Sequence, residues 1–134
     1  MFSTILRIRG RDGHLLITLR GELDLVDADA VATALMAAAD REPRIVLYLA
    51  RLDFIDVTGV AALVRARKHA RRAGGDLLLA APRPQMMRLL STPALGYRFS
   101  VYASAEEAAS GFLAPLGVAA LALAPRTAGQ ASWG

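Results

Sequence analysis

The chain has 134 residues, a length that fits one domain of about 100 to 150 residues. Its formal net charge is +4. It contains no cysteine, so disulfides, thiol catalysis and thiolate metal sites are excluded. Its two histidines, His14 and His69, lie far apart in the sequence, and we interpret both as surface residues. We therefore expect neither a metal site nor a cofactor.

Hydrophobic patterning and turn-forming residues predict the order strand, strand, helix, strand, helix, strand, helix, strand, helix. These elements cover residues 5–9, 15–20, 27–39, 45–49, 59–73, 77–81, 84–90, 99–102 and 104–112. The first two strands flank turn-forming residues 10–13 and predict a hairpin. Ser104, three residues before Glu107, is typical of a capping box that opens the last helix.

This order predicts a single α/β domain over residues 1–112, with a mixed, mostly parallel sheet, a leading β-hairpin and about four helices. Residues 113–134 are apolar and then rich in Gly, Ala and Pro, and we expect this tail to be mobile. The longest apolar stretch has thirteen residues and is interrupted by Pro115 and Gly117, whereas a membrane span needs about 20. The N-terminus lacks the pattern of a secretory signal, so we expect a cytoplasmic protein.

Two short acidic segments stand out as a candidate site. Residues 21–24, Gly-Glu-Leu-Asp, form a turn after the second predicted strand, and residues 54–59, Phe-Ile-Asp-Val-Thr-Gly, form a turn that leads into the second helix. Because α/β sheets build sites at the carboxyl ends of their strands, we expect Asp24 and Asp56 to share one surface. The second segment also presents backbone amides at a helix N-terminus, which favours an anionic side chain or a phosphate.

Catalysis is not indicated by these carboxylates. No histidine, cysteine or Gly-rich phosphate loop accompanies Asp24 and Asp56, and carboxylates at strand ends commonly cap the next helix. A small hydrolase is therefore a less favoured alternative. Binding to nucleic acid is also less favoured, because the dense basic cluster within residues 65–72 lies opposite an apolar helical face and no aromatic residues interleave with it.

Several segments, taken together and in order, resemble the STAS domain family, in the form found in anti-sigma factor antagonists, over residues 5–112. They are the two acidic segments, the apolar strand 45–49, the Gly74-Gly75 helix stop and residues 77–90. The resemblance implies a protein-interaction domain that binds an anti-sigma factor that is also a serine kinase, and so regulates transcription. In the family, this partner phosphorylates a hydroxyl residue directly after the Asp of the second segment. Unphosphorylated antagonist binds the partner and frees the sigma factor.

The resemblance implies a partner-binding surface in the two acidic segments. Its residues are Glu22, Asp24, Asp56, Val57, Thr58 and Gly59. Val57 stands at the phosphoacceptor position and cannot accept a phosphate, because it has no hydroxyl. Thr58 is the neighbouring hydroxyl and a substitute acceptor, although a helix cap is its simpler interpretation. Tyr48 departs from the family in a second place, where an acidic or amide residue is common.

Two alternatives stay open on the sequence alone. The first is an accessory STAS subunit of a membrane transporter. The second concerns assembly, since apolar side chains in the tail could dock on the domain or on a second copy to form a homodimer.

Overall fold

The computed structural model of the chain describes residues 3–92 and 99–113. These residues form a six-stranded sheet and four helices. The strands are β1 (Thr4–Arg11), β2 (His14–Leu23), β3 (Arg44–Tyr48), β4 (Leu52–Ile55), β5 (Asp76–Ala80) and β6 (Val101–Tyr102). The helices are α1 (Ala28–Arg41), α2 (Val57–Arg72), α3 (Pro84–Leu90) and α4 (Ala105–Leu113).

The sheet is mixed, as the sequence predicts. Strands β1 and β2 pair antiparallel across a two-residue turn, in which Gly13 has a φ of 82°. The remaining pairs are parallel, and the strand order is β1-β2-β3-β5-β6. Strand β4 lies off this path, because it pairs with the last residues of β2 beyond the end of β3. The α/β fold class is therefore confirmed.

Alternation of side chains along the strands divides the apolar residues between the two faces of the sheet. Ile17 and Leu47 face one layer with α1, α2 and α3, where Leu35 and Leu63 are fully buried. The opposite face packs on α4 through a smaller cluster. This cluster contains Val46, Leu78, Ala80, Tyr102 and Ala108. Helix α4 contacts β3, β5 and β6 most closely, so the β1 side of this face has no helix over it among the described residues.

Strand β4 was not predicted from the sequence, which left residues 52–55 outside the predicted strands and helices. It has only four residues, and Asp53 interrupts its apolar pattern. What makes it a strand is tertiary pairing with β2 on one side and a side chain on the other. The amide of Gln85 in α3 supplies both bonds to Ile55, accepting from its N–H at 3.2 Å and donating to its carbonyl at 2.8 Å.

Two helix boundaries follow the expected chemistry. Helix α2 ends at Arg72, and Gly74 follows with a φ of 95°, so that its N–H and that of Gly75 bond back to the carbonyls of Arg71 and Ala70. At the start of α4, the Ser104 hydroxyl accepts a hydrogen bond from the N–H of Glu107 at 3.1 Å, which is the first half of a capping box.

The two histidines, both predicted to lie on the surface, differ in exposure. His69 is partly exposed and contacts Asp40 at 2.6 Å. His14 is instead buried, with only 8% of its surface exposed, and its ring centroid is 6.2 Å from that of Phe112. The expectation that His14 is a surface residue is wrong, because α4 covers the start of β2, which hydrophobic patterning could not show.

None of the helices within residues 3–92 and 99–113 is both long and apolar enough to cross a membrane. The predicted tail begins at Leu113, the last residue of α4, and its residues 114–134 lie outside the described part of the chain.

Candidate functional site

The two acidic segments lie side by side at the carboxyl ends of β2 and β4. Leu23 pairs with Ile55 in the parallel ladder, and the N–H of Asp56 donates to the Leu23 carbonyl at 3.2 Å. Asp24 and Asp56 each follow directly after a member of this pair. The sheet therefore brings the two predicted carboxylates to one edge.

The turn between β2 and α1 is held by Asp24. Its carboxylate accepts from the N–H of Val26 at 3.0 Å, and its carbonyl accepts from the N–H groups of Asp27 and Ala28 at 3.1 and 2.9 Å. These hydrogen bonds hold the backbone of the turn, and the side chains of Leu25 and Val26 are 73% and 71% exposed. Two large apolar side chains are thus presented to solvent beside an acidic residue.

Asp56 is the N-cap of α2 and connects the two turns. Its carboxylate accepts from the N–H of Gly59 at 2.9 Å, from the Thr58 hydroxyl at 2.5 Å and from the backbone of Leu25. Burial raises the pKa of Asp56, but these hydrogen bonds outweigh burial and hold the pKa below its ordinary value of 3.8. The interpretation of Thr58 as the cap is therefore wrong. Thr58 is a donor to the capping residue.

Val57 is the first residue of α2 and is 53% exposed. Phe54, in β4, is 41% exposed, and Glu22 is exposed on β2. Gly59 does not share this exposure, which corrects the expectation that it belongs to the surface. It is buried, and a Cβ built on it would lie 2.6 Å from the Leu23 carbonyl oxygen. Gly59 instead allows α2 to approach the sheet closely.

Asp27 has a structural role that was not predicted from the sequence, where it is only the first residue of the predicted helix 27–39. It is fully buried and accepts from the backbone N–H groups of Ser3 and Thr4 at 2.8 and 2.7 Å. Burial raises its pKa, but the hydrogen bonds from Thr4 and Ser3 together hold the pKa below 3.8. Asp27 thus fastens the first strand to the turn that carries Leu25 and Val26.

The arrangement is suited to binding a protein surface. Four large apolar side chains are exposed around the two turns, with acidic groups beside them. They are Leu25, Val26, Phe54 and Val57. Within residues 3–92 and 99–113, no three His, Asp or Glu side chains come together as metal ligands. Leu25, Val26 and Phe54 were not predicted as site residues, since the exposure of an apolar residue depends on the backbone path of the turn.

Comparison with known proteins identifies the family of the chain. The STAS domain family matches residues 6–108 of the chain. The chain is 31% identical over 102 residues to BtrV of Bordetella bronchiseptica, which is assigned as an anti-sigma factor antagonist. That alignment covers 75% of this chain and 88% of BtrV. It is also 30% identical over 92 residues to the anti-sigma F factor antagonist of Paenibacillus polymyxa, covering 67% of this chain and 79% of that protein.

Among solved structures, an anti-sigma factor antagonist from Mycobacterium paratuberculosis superposes with a TM-score of 0.72 at 24% identity, covering 83% of this chain and 95% of that one. At this identity the likeness shows the fold alone. The chain belongs to the STAS domain family. Both of these relatives are named as anti-sigma factor antagonists.

Proposed function

We propose that this protein is an anti-sigma factor antagonist that binds an anti-sigma factor of the serine-kinase type and thereby releases a sigma factor. The observation that supports the proposal is the exposed apolar group at the two turns. We name it the turn surface and define it by Leu25, Val26, Phe54 and Val57, with Glu22 and Asp24 at its margin. Cytoplasmic location and a role in transcription follow from such a partner.

Affinity at the turn surface comes mainly from its apolar side chains. Full burial of one Val, Leu or Phe side chain contributes about 1.5 to 3 kcal/mol, whereas an exposed ion pair contributes about 0 to 1 kcal/mol. Leu25, Val26 and Val57 are each more than half exposed, so most of this gain remains available to a partner. Charges on Glu22 and Asp24 would orient the partner and speed its association.

Val57 also affects how phosphorylation could regulate binding to the partner. A phosphate at this position would sit at the N-terminus of α2, where it adds about −1.5 to −2 charge at neutral pH. Next to Asp56 and Asp24, this charge would oppose an apolar contact. Because valine accepts no phosphate, we propose that the turn surface stays competent for binding when the kinase is active. Thr58 is a poor substitute, since its half-buried hydroxyl already donates to Asp56.

Isothermal titration of the full chain with the host's anti-sigma factors of the kinase type tests the binding. Val26→Asp should weaken binding by at least about tenfold, because the variant removes an apolar side chain from the contact and places a charge there instead. Ile8→Asp is the matched control, since Ile8 is exposed on β1 outside the turn surface, and it should leave the affinity unchanged. Failure of every such factor to bind, or equal weakening by both variants, would contradict the proposal.

Incubation with the same partner and ATP tests the regulation. The wild-type chain should remain unmodified, and Val57→Ser should become phosphorylated and then release the partner. Stoichiometric phosphate on wild-type Thr58, located by mass spectrometry, would show that the acceptor role lies one residue further along.

A further inference from the structure

The β1 side of the sheet, on the face that packs against α4, carries an open hollow of about 220 Å³. Four arginines line it, and we name this surface the arginine face. They are Arg7, Arg9, Arg20 and Arg51. All four are exposed, and the floor between them is formed by the half-buried side chains of Leu16, Thr18 and Tyr48.

Strand register explains how these side chains converge. Arg7 pairs with Thr18, which in turn pairs with Tyr48, so the three residues form one row across β1, β2 and β3. Arg9 begins the next row, opposite Leu16. Side chains two residues apart on a strand share a face about 6.5 Å from each other, so the arginines frame an apolar floor on one surface.

The arginine face lacks compensating negative charge. No Asp or Glu lines the hollow, and none of its four arginines forms an ion pair with a described carboxylate. Other arginines of the described chain are neutralised nearby, as Arg44 is by Glu42 at 3.0 Å and Arg67 by Asp76 at 2.8 Å. A concentration of unpaired arginines creates a local positive potential that attracts an anionic partner.

Protection of the sheet edge does not account for all of these residues. Charged side chains on β1 discourage edge-to-edge pairing, and Arg7 and Arg9 serve that purpose adequately. This explanation does not extend to the other two arginines. Arg20 lies on β2, whose edge is already paired with β1, and Arg51 lies in the chain between β3 and β4. Ile5, on the same side of β1 as Arg7, is also 61% exposed, which adds apolar area to the surface.

The dimensions of the open face suit a helix. Strands β1, β2 and β3 are adjacent in the sheet, so the arginine face spans two strand spacings, or roughly 10 Å, which matches the diameter of one α-helix. A second hollow shares the same floor and reaches Ser104 and Ala105 at the start of α4, with Glu106 as its one acidic lining residue. A helix lying beside α4 would therefore bury Ile5 and the apolar floor.

We propose that the arginine face binds an acidic amphipathic helix of a protein partner. Carboxylates on the margins of that helix pair with the arginine forks, which hold carboxylates bidentately, and its apolar stripe covers the floor. Arginine and tyrosine are both enriched at such interfaces. Nucleic acid fits less well, because no exposed aromatic side chain accompanies the arginines and Tyr48 is half-buried. This proposal does not depend on the function proposed for the turn surface.

A synthetic amphipathic peptide of about 18 residues, five helical turns, provides the probe. It carries a leucine stripe flanked by glutamates, and a second peptide has lysine in place of each glutamate. Fluorescence anisotropy with the full chain should show binding of the glutamate peptide alone, weakening as salt is raised. The double variant Arg7→Glu/Arg9→Glu should weaken binding by at least about tenfold.

The control variant is Lys68→Glu/Arg72→Glu, which makes the same charge change on the exposed side of α2 and should alter affinity by less than about twofold. Arg20→Gln/Arg51→Gln provides a second test if the first variant melts early. Equal losses from the two glutamate variants, or no binding of the glutamate peptide, would overturn the proposal. So would tighter binding of a DNA duplex or of phosphatidylglycerol vesicles through the same arginines.

Discussion

A methyl group added at Gly59 tests how closely α2 must approach the sheet. The new Cβ would lie 2.6 Å from the Leu23 carbonyl oxygen and 2.7 Å from Cγ1 of Ile55, whereas carbon atoms in favourable contact are about 3.5 to 4.0 Å apart. Neither neighbour moves freely. The Leu23 carbonyl accepts the hydrogen bond from Asp56, and Ile55 is fully buried.

The expected loss in the free energy of unfolding follows from two opposing effects. Overpacking of a filled site costs about 1 to 3 kcal/mol, while alanine stabilises a helix by up to about 1 kcal/mol relative to glycine. With an overpacking cost of about 2 kcal/mol, the middle of that range, less a gain of up to about 1 kcal/mol, Gly59→Ala should destabilise the domain by about 1 to 2 kcal/mol. For a domain of this size the melting temperature should fall by roughly 4 to 8 °C.

Thermal and urea unfolding followed by circular dichroism measure this effect. Gly10→Ala is the matched control, because Gly10 lies on exposed β1 and no atom stands within 4 Å of the position that its new Cβ would take. The control should be neutral or slightly stabilising, by about 0.5 kcal/mol. If Gly59→Ala is as stable as Gly10→Ala, the close packing of α2 on β2 and β4 is not what Gly59 provides.

Two further predictions concern the carboxylates of Asp27 and Asp56. Asp56→Ala should lower the free energy of unfolding by about 1 kcal/mol in urea titrations, while Asp56→Asn should retain most of it because asparagine caps helices equally well; equal losses would show that charge, not capping, matters. The pKa values of Asp27 and Asp56 lie below 3.8 in the folded chain, so the unfolded chain takes up these protons at higher pH and acid favours unfolding. Stability should therefore be level above about pH 5 and fall as the pH drops below 3.8, and Asp27→Asn should show a shallower fall.

Local patterns were sufficient for most of the fold. Apolar runs and glycine turns identify β3, β5 and the end of α2, because these signals act within a few residues. Strand β4 was not predictable in this way. Its four residues become a strand only because β2 extends past β3 and Gln85 satisfies the backbone of Ile55, which are contacts made across long sequence separations.

The candidate site, like the fold, was predictable in part. Asp24 and Asp56 were predicted to share one edge because parallel strands end together, although β4, the strand that carries Asp56 to this edge, was not itself predicted. Which residues at that edge support the fold, and which reach solvent, was not predictable. Asp56 and Gly59 serve the local structure as cap and close contact, and the apolar neighbours Leu25 and Val26 are the side chains that reach solvent.

Val57 connects the fold to the proposed function. At the first position of a helix, a β-branched apolar residue has no favourable interaction with the helix dipole, and this side chain is 53% exposed. Neither capping nor core packing explains a valine there, since Asp56 is the cap and the buried residues of α2 begin at Gly59. We propose that contact with a partner accounts for it, because Val57 adjoins the turn that exposes Leu25 and Val26. Under the proposed function, Val57 would have two effects: it would remove the phosphoacceptor and extend the apolar surface available to the partner.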